Sequence, residues 1–179
     1  MGMVGPNAGF VERDGQIWLY YNGWAGEHWE TKAYRRAYNL GLWAMGRRTS
    51  GTWLALLRQE GFLSLDAGED EGTVTTVPEQ LEQLELVAQG ERPAGARLIV
   101  NTRTHGPAGY VAAEVLGHDG AVVPGFSIAE ADRFAVDAVA HEVTWQGKPL
   151  AALPRAQAGG EITLRFRLRH ASLYSYSLA

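Results

Sequence analysis

The feature that most limits what this chain can fold into is the segment 161–168, EITLRFRL, where Ile162, Leu164, Phe166 and Leu168 alternate with Thr163, Arg165, Arg167 and, one step on, Arg169. A period of two belongs to an extended strand, because successive side chains leave opposite faces of a pleated backbone. One face is therefore core, and the other meets water or pairs with acids. The alternation recurs over residues 109–125 (GYVAAEVLGHDGAVVPG), where Val111, Ala113 and Val115 interleave with Tyr110, Ala112 and Glu114. Asp119-Gly120 is expected to supply the left-handed backbone of a tight hairpin turn there. Further strands are expected at 16–22, 40–45, 52–58, 72–77, 81–87, 97–101, 142–145 and 173–178, with many of the 22 glycines between apolar runs. About ten short strands joined by turns predict an all-β protein, an antiparallel β-sandwich of jelly-roll, concanavalin-like type. Two stretches fit less simply. Leu81, Leu84 and Val87 would also suit a helix begun at Pro78, and residues 27–38 (EHWETKAYRRAY) read as a helical turn or a loop.

Composition narrows the function classes. At 179 residues, with 46% hydrophobic and 20% charged residues, the chain can bury one sizeable core and does not have the make-up of a disordered segment. A net charge of −4 argues against nucleic acid as a partner, since phosphate neutralisation needs clustered Lys and Arg. No apolar run is long enough to span a bilayer, and residues 1–10 have neither a basic start nor an apolar stretch, so neither a membrane partner nor an export signal is expected. The absence of Cys excludes disulfides, thiolate zinc sites and Cys nucleophiles, and the cytoplasm stands as the default compartment.

Residues 9–24, GFVERDGQIWLYYNGW, resemble the last-blade strand of five-bladed propeller glycoside hydrolases of the arabinofuranosidase and fructosidase type. Residues 60–78 (EGFLSLDAGEDEGTVTTVP) are similar to the opening of the β-sandwich that follows such propellers, and residues 111–127 (VAAEVLGHDGAVVPGFS) to one of its hairpins. Asp132, Asp137 and VTWQG at 143–147 follow in the order expected of that module. ITLRFRLRHASLYSY at 162–176 then resembles its closing strands. The resemblance implies a remnant of the last propeller strand and a linker over 1–39, and a sandwich module over 40–179. The stretch LGLWAMGRRTSGTWLALLRQ at 40–59 departs from the pattern, being longer than the single strand expected there. Propeller blades one to four, which carry the paired catalytic carboxylates of the resembling enzymes, have no counterpart here.

The residues suited to chemistry are few. Glu27, His28 and Glu30 are the one group in which His and carboxylates fall within four residues, and His28 and Glu30 are the catalytic candidates, against a plain polar loop as the alternative. Glu69, Asp70 and Glu71 form an acidic loop that reads first as a solvated or structural one, with a structural calcium ion held by Asp66 or Glu71 as the alternative, although the spacing is not that of a helix-loop-helix calcium loop. No other cofactor is implied. Trp24, Trp29, Tyr34 and Trp43 could form a carbohydrate-binding platform, or else a core or a former propeller interface. Arg165, Arg167 and Arg169 could clamp an acidic sugar, or pair with Glu across strands. The leading expectation is a non-catalytic accessory module whose partner is a propeller catalytic domain. The alternatives are a stand-alone carbohydrate-binding module and, third, a small glycoside hydrolase. An exposed aromatic edge at 18–24 would also favour homo-oligomers.

Overall fold

The computed structural model describes residues 3–6, 9–24, 50–80, 97–154 and 161–179. Among them the regular elements are strands, with one short 3₁₀ turn at Leu150–Ala152, and no helix is long and apolar enough to cross a membrane. The chain divides into two compact units, Met1–Gly61 and Phe62–Ala179.

The first unit is an antiparallel sheet of β1 (Met3–Pro6), β2 (Val11–Arg13), β3 (Gln16–Trp24) and β4 (Ser50–Arg58). β3 is central. It pairs along its whole length with β4, from Gln16↔Arg58 to Trp24↔Ser50, while β2 and β1 share its other side opposite residues 16–18 and 21–24. β2 turns into β3 through Asp14 and Gly15, whose φ values of +53° and +71° make the two-residue type I′ loop that matches strand twist. On one face Ile17 is buried, and the rings of the cross-strand partners Tyr21 and Trp53 stack at 6.0 Å. The benzo edge of Trp53 fills the space left by the paired Gly23 and Gly51, and a Cβ on Gly23 would lie 2.7 Å from its Cζ3. A division at residues 39 and 40 would have assigned 52–58 to the sandwich. That strand instead completes the first sheet, and the first unit extends to Gly61.

The second unit contains β5 (Leu65–Ala67), β6 (Gly72–Thr75), β7 (Glu79–Gln80), β8 (Leu98–Thr104), β9 (Tyr110–Leu116), β10 (Asp137–Val143), β11 (Glu161–Arg169) and β12 (Ala171–Leu178). One sheet runs β10-β8-β12-β5. In the other, β11 lies between β9 and the end-to-end pair β6 and β7. All pairings are antiparallel, and the facing side chains form one core that includes Leu98, Val100, Val111, Val115, Trp145, Ile162, Leu164, Phe166 and Leu168. The antiparallel sandwich expected from the alternation is present, and β11 buries the four apolar residues that predicted it.

Of the connections that cross between the sheets, β5 to β6, β8 to β9 and β11 to β12 meet at His170. Its backbone is left-handed (φ +41°), its N–H donates to the Gly68 carbonyl (2.9 Å), and its carbonyl accepts from the His105 N–H (2.6 Å). Gly109 closes the joint, because a Cβ there would come within 2.7 Å of the His170 oxygen.

The tight turn expected after β9 is present, with Gly120 supplying the left-handed backbone (φ +76°). Gly120 donates to Gly117, while Gly117 donates to Ala121, both at 2.9 Å. This is a type I turn followed by a left-handed glycine, with the Asp119 carboxylate accepting the Ala121 N–H. The strand expected at 142–145 is the end of β10, which begins at Asp137 and carries an irregularity between Ala138 and His141. Residues 27–38 and the strands expected at 40–45 and 81–87 lie outside the described residues.

Candidate functional site

Because the core takes the even-numbered side chains of β11, the odd-numbered ones stand on the outer face. Thr163, Arg165, Arg167 and Arg169 are therefore spaced at about 6.6 Å intervals along the strand, two residues apart. The register with β9 puts Glu114 opposite Arg165, Ala112 opposite Arg167 and Tyr110 opposite Arg169. β6 adds Thr75 beside Arg165 and Thr73 beside Arg167.

Glu114 is 4% exposed, and its carboxylate would be costly to bury alone. Arg165 donates to one of its oxygens and the Ile128 N–H to the other (3.2 Å), so the charge is compensated on both sides. Arg167 pairs with Glu71 at 3.1 Å, and the Tyr110 hydroxyl donates to the second Glu71 oxygen. The Tyr110 hydrogen bond, helped by Arg167 and Arg133, holds the Glu71 carboxyl below its ordinary range, and the same bond raises the Tyr110 phenol. The Arg133 guanidinium sits 4.7 Å from the centre of the Tyr110 ring, and Arg169 donates to the Glu69 carbonyl (3.0 Å). The outer face thus carries Arg133, Arg165, Arg167 and Arg169 against Glu71 and Glu114. Among the described residues Arg133 and Arg169 have no carboxylate partner.

A second polar cluster lies on the other sheet, where Ser172 pairs with Asp66 on β5 and with Arg103 on β8. Hydrogen bonds from Ser172 and Ser64, with His105 nearby, hold the Asp66 carboxyl low, and His105 Nε2 is 3.1 Å from Ser172 Oγ. Serine stands between acid and imidazole here. In a nucleophilic triad the imidazole stands between, taking the serine proton while the acid orients it, so this order does not activate Ser172.

Of the residues singled out from sequence, Asp66 and Glu71 belong to these two separate clusters. No group of three or more His, Asp or Glu suited to a metal occurs among the described residues. Trp24 ends β3, opposite Ser50. His28, Trp29, Glu30, Tyr34 and Trp43 lie outside the described residues. Arg165 pairs with Glu114 across strands, as expected, whereas the Glu71 partner of Arg167 lies in the loop before β6. Sequence reasoning missed the roles of Tyr110 and Arg133, and the Asp66, His105 and Ser172 cluster, whose members are too far apart in sequence to leave a local signal.

Two further acids close turns. Asp132 accepts from Thr144 Oγ1 (2.6 Å) and the Gly147 N–H (2.7 Å), which holds its carboxyl low and braces the loop Gln146-Gly147 (φ +50° and +75°) behind the buried Trp145. Glu130 does the same for Ser127, accepting from its hydroxyl and its N–H.

The chain matches no protein-family model, and neither the curated proteins nor the solved structures contain a match to it.

Proposed function

We propose that this chain is a non-catalytic accessory module related to the carboxy-terminal sandwich of propeller glycoside hydrolases, with a propeller catalytic domain as its partner. The observation that carries this reading is where the resembling segments lie. Residues 60–78 build β5, the crossing and β6, residues 111–127 build β9 and its turn, and residues 162–176 build β11, the His170 joint and β12. Asp132 and VTWQG interlock through the Thr144 and Gly147 hydrogen bonds, and Trp145 adds its own bond to the Ala113 carbonyl (2.8 Å). Glu71, Glu114, Asp132, Thr144 and Trp145 of these segments are engaged in holding the fold, which is what a supporting module requires. The test is a panel of aryl arabinofuranosides, fructosides and glucosides. The purified chain is expected to release no aglycone, and turnover abolished by Glu30→Gln would overturn the proposal in favour of a small hydrolase.

The two guanidiniums beside Tyr110 favour a second reading, a carbohydrate-binding module for acidic sugars. Planar carboxylates fork onto guanidinium groups, and Arg133 is already held in place by the phenol ring. In that case calorimetry detects binding of oligogalacturonate but not of a neutral oligosaccharide, and the signal vanishes in the Arg133→Ala, Arg169→Ala double variant.

A further inference from the structure

A strand at the edge of a sheet offers unpaired N–H and C=O groups, and proteins blunt such edges with shortness, charge, irregularity or cover. The second unit does so throughout. β5 has three residues, β6 four and β7 two. β10 carries Asp137 and Glu142 and breaks register between Ala138 and His141, and the outer side of β9 is met by bridges to Val122 and Phe134. In the first unit β1 and β2 are short, and β2 contains Glu12 and Arg13. Within the aromatic segment 18–24, Trp18 and residues 21–24 of β3 are paired on both sides.

Among the described residues β4 has none of these defences. It is nine residues long (SGTWLALLR), lacks Pro and Lys, keeps unbroken register with β3, and has its sole charge at its last residue, Arg58. No strand among the described residues pairs with its other side. Both of its faces are apolar, with Trp53 44%, Leu54 38% and Leu56 52% exposed.

We infer that the outer edge of β4 is a dimerisation surface whose partner is β4 of a second copy of this chain. Charge and symmetry select that occupant. Paired antiparallel about a twofold axis at Leu54, Trp53 faces Ala55, Thr52 faces Leu56, Gly51 faces Leu57 and Arg58 faces Ser50, so every pair is free of like charge. A parallel arrangement in register would set Arg58 against Arg58. The twofold contact is self-complementary and closes, consuming both open edges and leaving only the short β1 and β2 at the ends of the joined sheet.

The proposal goes beyond the accessory role and is tested on the full chain by sedimentation velocity at tens of micromolar. Twice the monomer mass is expected, with amide exchange over 50–58 slowing as concentration rises. Leu54→Lys and Leu54→Glu each set like charges on the axis and should sediment as monomers, while their equimolar mixture regains the dimer, which separates a lost interface from a lost fold. A monomeric parent chain, a dimer that survives Leu54→Lys, or a mixture that stays monomeric overturns it.

Discussion

At His170 an L-residue holds a left-handed backbone while both of its peptide groups serve other connections. For most L-residues that conformation costs roughly 1–2 kcal/mol, and for a β-branched side chain more, whereas glycine adopts it freely. His170→Gly should therefore be close to neutral in urea denaturation, the relieved strain offset by a more flexible unfolded chain. His170→Val should lose about 2 kcal/mol, and equal midpoints for the two would show that the joint does not constrain this residue. The buried Glu114 and its Arg165 partner give a second measurement at this scale. Removing one member of a buried pair leaves a charge uncompensated, at roughly 3–5 kcal/mol when fully buried, and Arg165 is 34% exposed, so Arg165→Met should lose about 2 kcal/mol. Glu114→Leu in the same chain should restore most of that loss, since both charges are then gone. A double variant less stable than Arg165→Met would mean that the uncompensated Glu114 charge is not the source of the loss.

Among elements, legibility followed strand length. β11, β9 and β12 could be read because seven to nine residues suffice to show a pattern, and β11 buries alternate side chains while β9 is buried on both faces. β2, β5 and β7 have three, three and two residues, too few to show alternation, and they exist because longer neighbours offer them hydrogen bonds. The Asp-Gly dipeptide marks a tight turn at both of its positions. At 14–15 it makes a two-residue loop, which locates β2, yet at 119–120 only the glycine is left-handed, because Asp119 uses its carboxylate to cap the turn. The acidic loop at 69–71 was visible, but its partners Tyr110, Arg133 and Arg167 come from other parts of the fold. The cross-strand register that unites them is a property of the folded sheet.

For the whole molecule, acid should act in two steps. Burial against Phe134, whose ring lies 4.1 Å away, pushes the His141 imidazole below its ordinary 6.5. The unfolded chain then binds the extra proton, so this contribution is complete above pH 6.5 and is lost as pH falls through the lower folded value. The Asp66, Glu71, Glu130 and Asp132 carboxyls are likewise held low, and their contribution is complete above their ordinary 3.8 to 4.5 and fades below it. Urea midpoints followed from about pH 8 to about pH 3 should decline in two stages, the upper one absent in His141→Gln. If the single variant leaves the profile unchanged, the imidazole is not the group responsible.

Arg165, Arg167 and Arg169 also sit within a strand that has neighbours on both flanks, apart from its last residue. A protease that cuts after arginine must draw several extended residues into its cleft, and β11 cannot release them while the ladders to β6 and β9 are closed. Tryptic scission at these bonds accordingly reports how often the entire sheet parts, its rate tracking the open population whenever reclosure outruns cleavage.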